Sequence, residues 1–416
     1  MNHLYNFVAR LAEFLLPVSA TFSPGMKEFV AGRKSTFEIL KDKISKVDKV
    51  VWFHMASLGE FEQGVPIIEE VKKLYPHHKI VISFFSPSGF RVKKNTPLAN
   101  AVVYLPIDTA KNSRQFIKEI HPDIAIFIKY EFWPNYLREL KKKNIPAILV
   151  SGVFRKDQLF FKSYGKWMRR SLQTFDHFFV QNPASKKLLE SIGIQNVTVS
   201  GDTRFDRVAK QLQENNSLTF VEEFLGDKIC VVAGSTWPGD EELLLEYINK
   251  KVGKVKFILA PHQLNKENIE KLRRKLKPKV ILFSEKDNKN LAEYDVLIID
   301  TIGLLSRIYN YAHIAYVGGA AGNTGLHNIL EAATFGIPVI TGNNIGKFPE
   351  ALQLRKLAGL YTVEDKAELD EVLTKMIDDR NFREKTGMIA GHFVHSNTGA
   401  AGKIIQYLKN RYVKIP

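Results

Sequence analysis

The sequence predicts an α/β protein made of two successive Rossmann-like, doubly wound domains facing a central cleft. At 416 residues it is too long for one ordinary core and fits two domains of about 150 to 200 residues. From Lys49 onward, short β-branched and aromatic runs alternate with helical segments, the pattern of a parallel sheet with helices on both faces. The pattern also runs twice. VVWFHM, KIVISFF, AVVYL, DIAIFI, PAILV, HFFVQ and NVTVSG form a first series, and ICVVAG, VKFILA, KVILF, DVLIID, HIAYVGG and PVITG form a second. Ligands of such sheets bind at the carboxyl ends of the strands.

Residues 1–46 stand apart. Leu4, Phe7, Val8, Leu11, Phe14 and Leu15 make an amphipathic segment, followed by Pro17 and a basic stretch at Arg33 and Lys34. It reads as a membrane-associating segment, with a helix packed on its own domain as the alternative. Arg10 and Glu13 interrupt the apolar run, which disfavours a signal peptide. Residues 47–210 form the first α/β domain, 211–225 a polar linker and 226–398 the second domain. Residues 399–416 form a last helix that can cross back to the first half.

Composition bounds the function. Hydrophobic residues make up 45% and charged residues 25%, enough for a folded core. The one cysteine, Cys230, cannot form an intrachain disulfide and fits a reducing compartment. Lys and Arg outnumber Asp and Glu by 60 to 44, a net charge of +16 that attracts something anionic. Without a recognition-helix or RNA-binding signature, nucleic acid is the weakest partner of that kind. No apolar run reaches the roughly 18 residues of a membrane-spanning helix.

Chemistry-bearing residues fall at strand ends. Ala56-Ser57-Leu58-Gly59-Glu60 sets a carboxylate at a helix entry, where it suits a general base; any single Glu there is also favoured by the helix dipole. Ser86-Pro87-Ser88-Gly89 ends the next strand with hydroxyls and a glycine. Lys129-Tyr130-Glu131-Phe132-Trp133-Pro134-Asn135 adds a second acid at the same rim, with Trp133 and Pro134 read as core and turn. Arg204 follows the last strand of the first series. Between Phe154 and Arg170, aromatics alternate with bases, fitting either an anionic lipid surface or a solvated helix. In the second half, Ser235 and Thr236 precede a helix, and Asp300 to Leu304 lead from a strand into another helix start suited to an anion. The run YVGGAAGNTGLHNILEAATFGIPVIT joins a strand to glycines whose backbone N–H groups can approach an anionic ligand. Its following helix is expected to carry His327, Asn328 and Glu331 on one face.

Together, Ser57-Leu58-Gly59-Glu60, Ser86-Pro87-Ser88-Gly89, Glu131-Phe132-Trp133-Pro134-Asn135, Ala233-Gly234-Ser235-Thr236 and Gly325-Leu326-His327-Asn328-Ile329-Leu330-Glu331 resemble the 3-deoxy-D-manno-octulosonic acid (Kdo) transferases of lipid A biosynthesis, in the same order along nearly the whole chain. The resemblance implies a GT-B glycosyltransferase fold, CMP-Kdo as donor, a lipid A precursor as acceptor, and neither metal nor cofactor. It also implies a place on the cytoplasmic face of the inner membrane, against an anionic surface. Glu60 would be the general base, with Glu131 and Arg204 assisting the transition state. The donor would lie against Ser235, Thr236, Pro261, His262, Ile302, Gly303, Leu304, Asn328, Ile329, Leu330 and Glu331. The acceptor would lie against Ser57, Gly59, Ser86, Ser88 and Arg155.

Pro261, Leu304 and Lys129 depart from the family's pattern, which has an arginine and two acids in their places. Pro261 offers neither charge nor N–H to a phosphate. A nucleotide-sugar epimerase, or a transferase with another donor, is the alternative on the same architecture. A non-catalytic basic membrane-surface protein would leave Glu60, Glu131 and Arg204 unexplained.

Overall fold

The computed structural model describes residues 2–21, 24–251 and 253–412. In its first strand, β1 (Lys49–Met55), side chains alternate: Val50 and Trp52 enter one buried layer, Val51, Phe53 and Met55 the other. Burial on both faces explains why the run is continuously apolar. Six further strands complete one parallel sheet with it: β2 (His78–Phe84), β3 (Ala101–Tyr104), β4 (Ile124–Ile128), β5 (Ala147–Gly152), β6 (His177–Val180) and β7 (Val197–Val199). Their order is β3-β2-β1-β4-β5-β6-β7.

The second sheet repeats the scheme with β8 (Ile229–Thr236), β9 (Val255–Pro261), β10 (Val280–Leu282), β11 (Val296–Ile298), β12 (Ile314–Val317), β13 (Val339–Gly342) and β14 (Leu360–Val363). It is also parallel, in the order β10-β11-β9-β8-β12-β13-β14. The expectation of two doubly wound α/β domains holds. Only β14 was not anticipated, because Tyr361 and Thr362 are half-exposed and break the apolar run. Strand order reverses between β1 and β4 and between β8 and β12, so each sheet has one switch point where the loops at the strand carboxyl ends part.

The chain forms two units, one running to Arg207 and resuming at Thr398, the other covering Val208–Asn397. The last helix, Ala400–Tyr412, belongs to the first unit. Ala401, Ile404, Ile405 and Leu408 join its core, and the Asp206 carboxylate accepts the Gly399 and Ala400 amides at the helix entry. The span 211–225, read as a linker, is mostly ordered structure of the second unit: the helix Thr219–Leu225 buries Val221, Phe224 and Leu225.

Residues of the amphipathic N-terminal segment form the helix Asn2–Ser19. Tyr5 donates to Asp108 at 2.7 Å, Asn6 accepts from Asn135 at 2.8 Å and Ala9 is buried, so one face packs on the domain. The opposite face leaves Leu4, Phe7, Val8, Leu11, Phe14, Leu15 and Val18 exposed, Phe14 at 77%. Among the described residues no helix is long and apolar enough to cross a membrane.

Candidate active site

At the switch point of the first sheet, β1 ends in His54 and Met55 and leads into the helix Leu58–Leu74, whose first turn holds Glu60. The Glu60 carboxylate accepts the Ala56 amide, folding it back onto the strand end. Burial raises its pKa first, and the charge of Glu131 raises it further; the Ala56 N–H, His54 and Lys129 oppose the rise. A carboxyl displaced upward in this way takes up a proton more readily than an exposed one, as a general base must.

Glu131, 7% exposed, follows β4. It accepts from His54 Nε2 at 2.8 Å and from the Trp133 indole N–H at 2.7 Å. His54 is fully buried on the face of β1 shared with Trp52, and its Nδ1 lies 2.8 Å from Ser83 Oγ. His54 was not singled out from the sequence, and Trp133 was read there as plain core. The only signal was one polar letter in VVWFHM. Trp133 in fact supplies a hydrogen bond to the carboxylate, and its ring packs against Phe85 at a tilt of 31° with centroids 4.7 Å apart.

The other first-half candidates have partners of their own. The Ser86 amide donates to the Ala56 carbonyl at 2.7 Å, linking the ends of β1 and β2. Ser86 Oγ caps the helix Pro87–Lys93 through the Ser88 amide and meets Ser88 Oγ at 2.6 Å. Ser57 opens the Leu58–Leu74 helix in extended conformation, and Gly59 is exposed with open space where a side chain would be. Arg155 reaches the Tyr130 hydroxyl at 3.3 Å and lies over its ring, with Lys129 over the same ring at 5.7 Å. Arg204 is held by Asp202 through Nε at 2.8 Å and Nη2 at 2.7 Å. Its neighbour Thr203 donates to the Gln63 carbonyl at 2.7 Å, tying Arg204's helix to the one carrying Glu60.

The second sheet's switch point is organised by Asp240, a buried acid in the first turn of the helix Pro238–Lys250. One oxygen accepts the Trp237 and Gly319 amides at 2.9 and 2.8 Å; the other accepts the Tyr316 hydroxyl at 2.9 Å and the Ala321 amide at 3.3 Å. The Gly318 amide donates to the Gly234 carbonyl. These amides of the glycine turn, expected to meet a ligand anion, are therefore committed inside the protein. Gly318 is glycine for a steric reason: a Cβ there would lie 2.4 Å from the Ser235 carbonyl oxygen and 2.7 Å from Thr236 Cα.

The helix expected to display His327, Asn328 and Glu331 on one face begins only at Leu330 and ends at Ala333. His327 lies before it and accepts from the Trp237 indole at 3.0 Å. His262 stacks on Trp237 at 4.6 Å and meets His327 at 4.4 Å, so three rings form one cluster. Burial, then the proximity of His262, pushes the His327 imidazole down to about 4; burial lowers His262 as well. Just ahead of the short helix, Asn328 accepts the Leu330 amide at 3.2 Å and donates to Glu331 at 3.1 Å.

Two further expectations need correction. Ile329 and Leu330 are core residues, 1% and 0% exposed, so their side chains do not offer a donor contact. Ile302, Gly303 and Leu304 precede a helix of a single turn, Leu305–Ile308, too short for the anion-binding terminus expected there; Ile302 itself is 81% exposed. Ser235 takes a positive φ of 54° at the end of β8, and the neighbouring Thr236 lines a cavity of about 90 Å³ with Pro261, Glu241, Gln263 and Lys271.

A family model for the 3-deoxy-D-manno-octulosonic-acid transferase (kdotransferase) matches residues 31–207. The 3-deoxy-D-manno-octulosonic acid transferase of Aquifex aeolicus is 28% identical over 372 residues, covering 86% of this chain and 97% of that one. A bifunctional glycosyltransferase/methyltransferase of Fusobacterium nucleatum is 26% identical over 402 residues; the match takes in 92% of this chain and 60% of that longer protein. In fold, the chain is similar to the UDP-GlcNAc 2-epimerase of Neisseria meningitidis, with a TM-score of 0.62 at 18% identity over 87% of this chain and all of that one.

Proposed function

We propose that the chain is a 3-deoxy-D-manno-octulosonic-acid (Kdo) transferase that moves Kdo from CMP-Kdo to a lipid A precursor with inversion, a reading supported by the family's model at residues 31–207 and by similarity to such transferases over most of its length. One observation carries the reading: two carboxylates, Glu60 and Glu131, stand at the ends of adjacent parallel strands of a switch point, in an environment that holds Glu60 above the usual carboxylate range. An acceptor hydroxyl attacks the anomeric carbon, the bond from that carbon to the CMP phosphate breaks, and the hydroxyl proton passes to Glu60. Glu131 and Arg204 assist the transition state. Ser57, Gly59, Ser86, Ser88 and Arg155 are assigned to the acceptor.

The nucleotide is assigned to the second unit. The Glu331 carboxylate, braced by Asn328, is suited to accept ribose hydroxyl donors. Ser235, Thr236 and His262 lie at the carboxyl ends of β8 and β9, where such sheets take ligands. Pro261 and Leu304 bring no charge, so the donor phosphate depends on other groups.

A lipid acceptor stays in its bilayer, so the enzyme must come to the membrane, here to its cytoplasmic face. The exposed apolar face of the helix Asn2–Ser19 fits shallow insertion. Its Tyr5 ring packs 5.8 Å from Trp167, which lines an open groove of about 470 Å³ with Arg138, Lys141, Lys142 and Arg170. An apolar helix beside a basic groove matches a membrane with anionic head groups.

The deciding experiment is nucleotide release. With a lipid A precursor present, CMP should be liberated from CMP-Kdo and no UDP from UDP-sugars. Turnover of a UDP-sugar without CMP-Kdo activity would favour the epimerase-like alternative.

A further inference from the structure

We propose that Arg33 is a positioning residue of this site: its guanidinium fixes the Phe85–Ser86 junction, from which both Glu60 and Glu131 are held. This rests on the reading of those two acids as the groups that act on substrate, and gives them a common anchor that touches no substrate itself.

Arg33 falls in the basic stretch that reads from the sequence as membrane-associating, in the last turn of the helix Pro24–Lys34. Its side chain turns inward instead. Nη1 donates to the Phe29 carbonyl at 2.9 Å and Nη2 to the Phe85 carbonyl at 2.6 Å. The guanidinium carbon lies 3.5 Å from the centre of the Phe29 ring, 4.8 Å from that of Phe85 and 5.2 Å from that of Tyr104. Its neighbour Gly32 lets the helix come this close, since a Cβ there would collide with the Tyr104 ring. A flat guanidinium can hold two carbonyls and still stack on rings, which a lysine ammonium does not. Its Nε–H is buried without an acceptor among the described residues, a cost that a smaller side chain would avoid.

Phe85 passes this hold on along two routes. Through its ring, it meets Phe29 edge-on at 5.4 Å and packs against Trp133 at 4.7 Å, and Trp133 donates its indole N–H to Glu131 at 2.7 Å. Through the main chain, the Ser86 amide donates to the Ala56 carbonyl at 2.7 Å, and the Ala56 amide donates to the Glu60 carboxylate. Each acid therefore takes a donor whose place depends on Phe85. Phe85 itself follows the last paired residue of β2, Phe84, so the strand ladder does not fix it; the Arg33 donor does. Displacing a positioned group by about 1 Å can cost about a hundredfold in rate, so a loosened junction should act on kcat.

The test uses full-length protein and begins without turnover. In nitrogen-15 spectra of indole-labelled enzyme, with Trp133→Phe assigning the resonance, Arg33→Lys is expected to shift or broaden the Trp133 signal. An unmoved signal in the folded variant overturns the proposal. In Kdo transfer, Arg33→Lys should lower kcat by roughly tenfold while the KM for CMP-Kdo stays within about twofold. The double variant Arg33→Lys/Trp133→Phe should be at least about threefold faster than the product of the two single losses, because both changes act on one hold on Glu131. Losses that simply multiply overturn it. Phe85→Leu, which keeps the carbonyl and removes only the ring between Arg33 and Trp133, carries the same readouts if Arg33→Lys does not fold. A protein that transfers no Kdo defeats the functional reading, while the indole signal still decides whether Arg33 holds the site.

Discussion

The Asp240 carboxylate accepts the Gly319 amide at 2.8 Å across 79 residues of sequence, and with Trp237, Tyr316 and Ala321 as further donors it occupies the turn that looked from the sequence like an anion site. Asp240→Ala would leave four donors without their acceptor in a buried place. Each buried unsatisfied group costs about 1 to 3 kcal/mol, and such costs do not simply add. Urea unfolding should show a loss of about 3 kcal/mol or more in the second unit. A loss under about 1 kcal/mol would mean that the turn holds itself together without Asp240.

The legibility of this chain follows from how far apart its partners lie. The runs from VVWFHM to PVITG were readable as strands because a parallel sheet buried on both faces requires continuous apolar residues. LYTV, the edge strand β14, has no such requirement and was missed. Glu60 and Glu131 stood out in the sequence because each closely follows a strand's carboxyl end, where ligands of such sheets bind. His54 did not, since its meaning comes from a partner 77 residues away. Nor can glycines announce whether the anion they meet is a ligand or an aspartate of the same chain. The helical spacing of His327 and Glu331 misled in a related way: the helix begins only at Leu330, later than the pattern suggested, and His327 turns to Trp237 instead.

Glu60→Gln should lower turnover by about two to four powers of ten, the usual worth of a positioned base, because the amide cannot take the acceptor's proton. The same change should stabilise the fold at neutral pH. Glu60 is raised on folding, so its favourable contribution is full below the ordinary carboxylate range and is lost as pH rises through the raised value. Glutamine carries no charge to desolvate. Thermal unfolding from pH 4 to 8 should show the variant's Tm above wild type at pH 7, with the gap closing toward about pH 4. Equal Tm at all pH values would contradict the desolvation of Glu60.

Acid should weaken the second unit through His327. Its imidazole falls from an ordinary 6.5 to about 4 on folding, so the neutral form is the one that the folded state accommodates. That contribution is fully present above pH 6.5 and is lost as pH drops toward 4. His262, lowered in the same direction, adds to it. In a urea series between pH 7 and pH 5, wild type should lose more stability than His327→Gln. Parallel losses would mean that His327 does not govern this window.

Membrane attachment should separate into two components. The basic residues around Arg138, Lys141, Lys142 and Arg170 contribute about 1 kcal/mol each near an anionic surface, and added salt weakens that attraction. Insertion of Phe7, Leu11 and Phe14 should leave a salt-resistant remainder. Sedimentation with anionic liposomes is expected to lose only this remainder when those three residues are changed to serine. A full-length protein that stays in the supernatant even at low salt would rule out peripheral attachment.

The most direct measurement is the mass of the lipid product. A lipid A precursor incubated with the enzyme and CMP-Kdo should gain the mass of Kdo and release CMP, and the Glu60→Gln enzyme should form that product at least about a hundredfold more slowly. An acceptor of unchanged mass in the presence of folded protein and CMP-Kdo, or Kdo transfer that proceeds undiminished without the Glu60 carboxylate, would contradict the account.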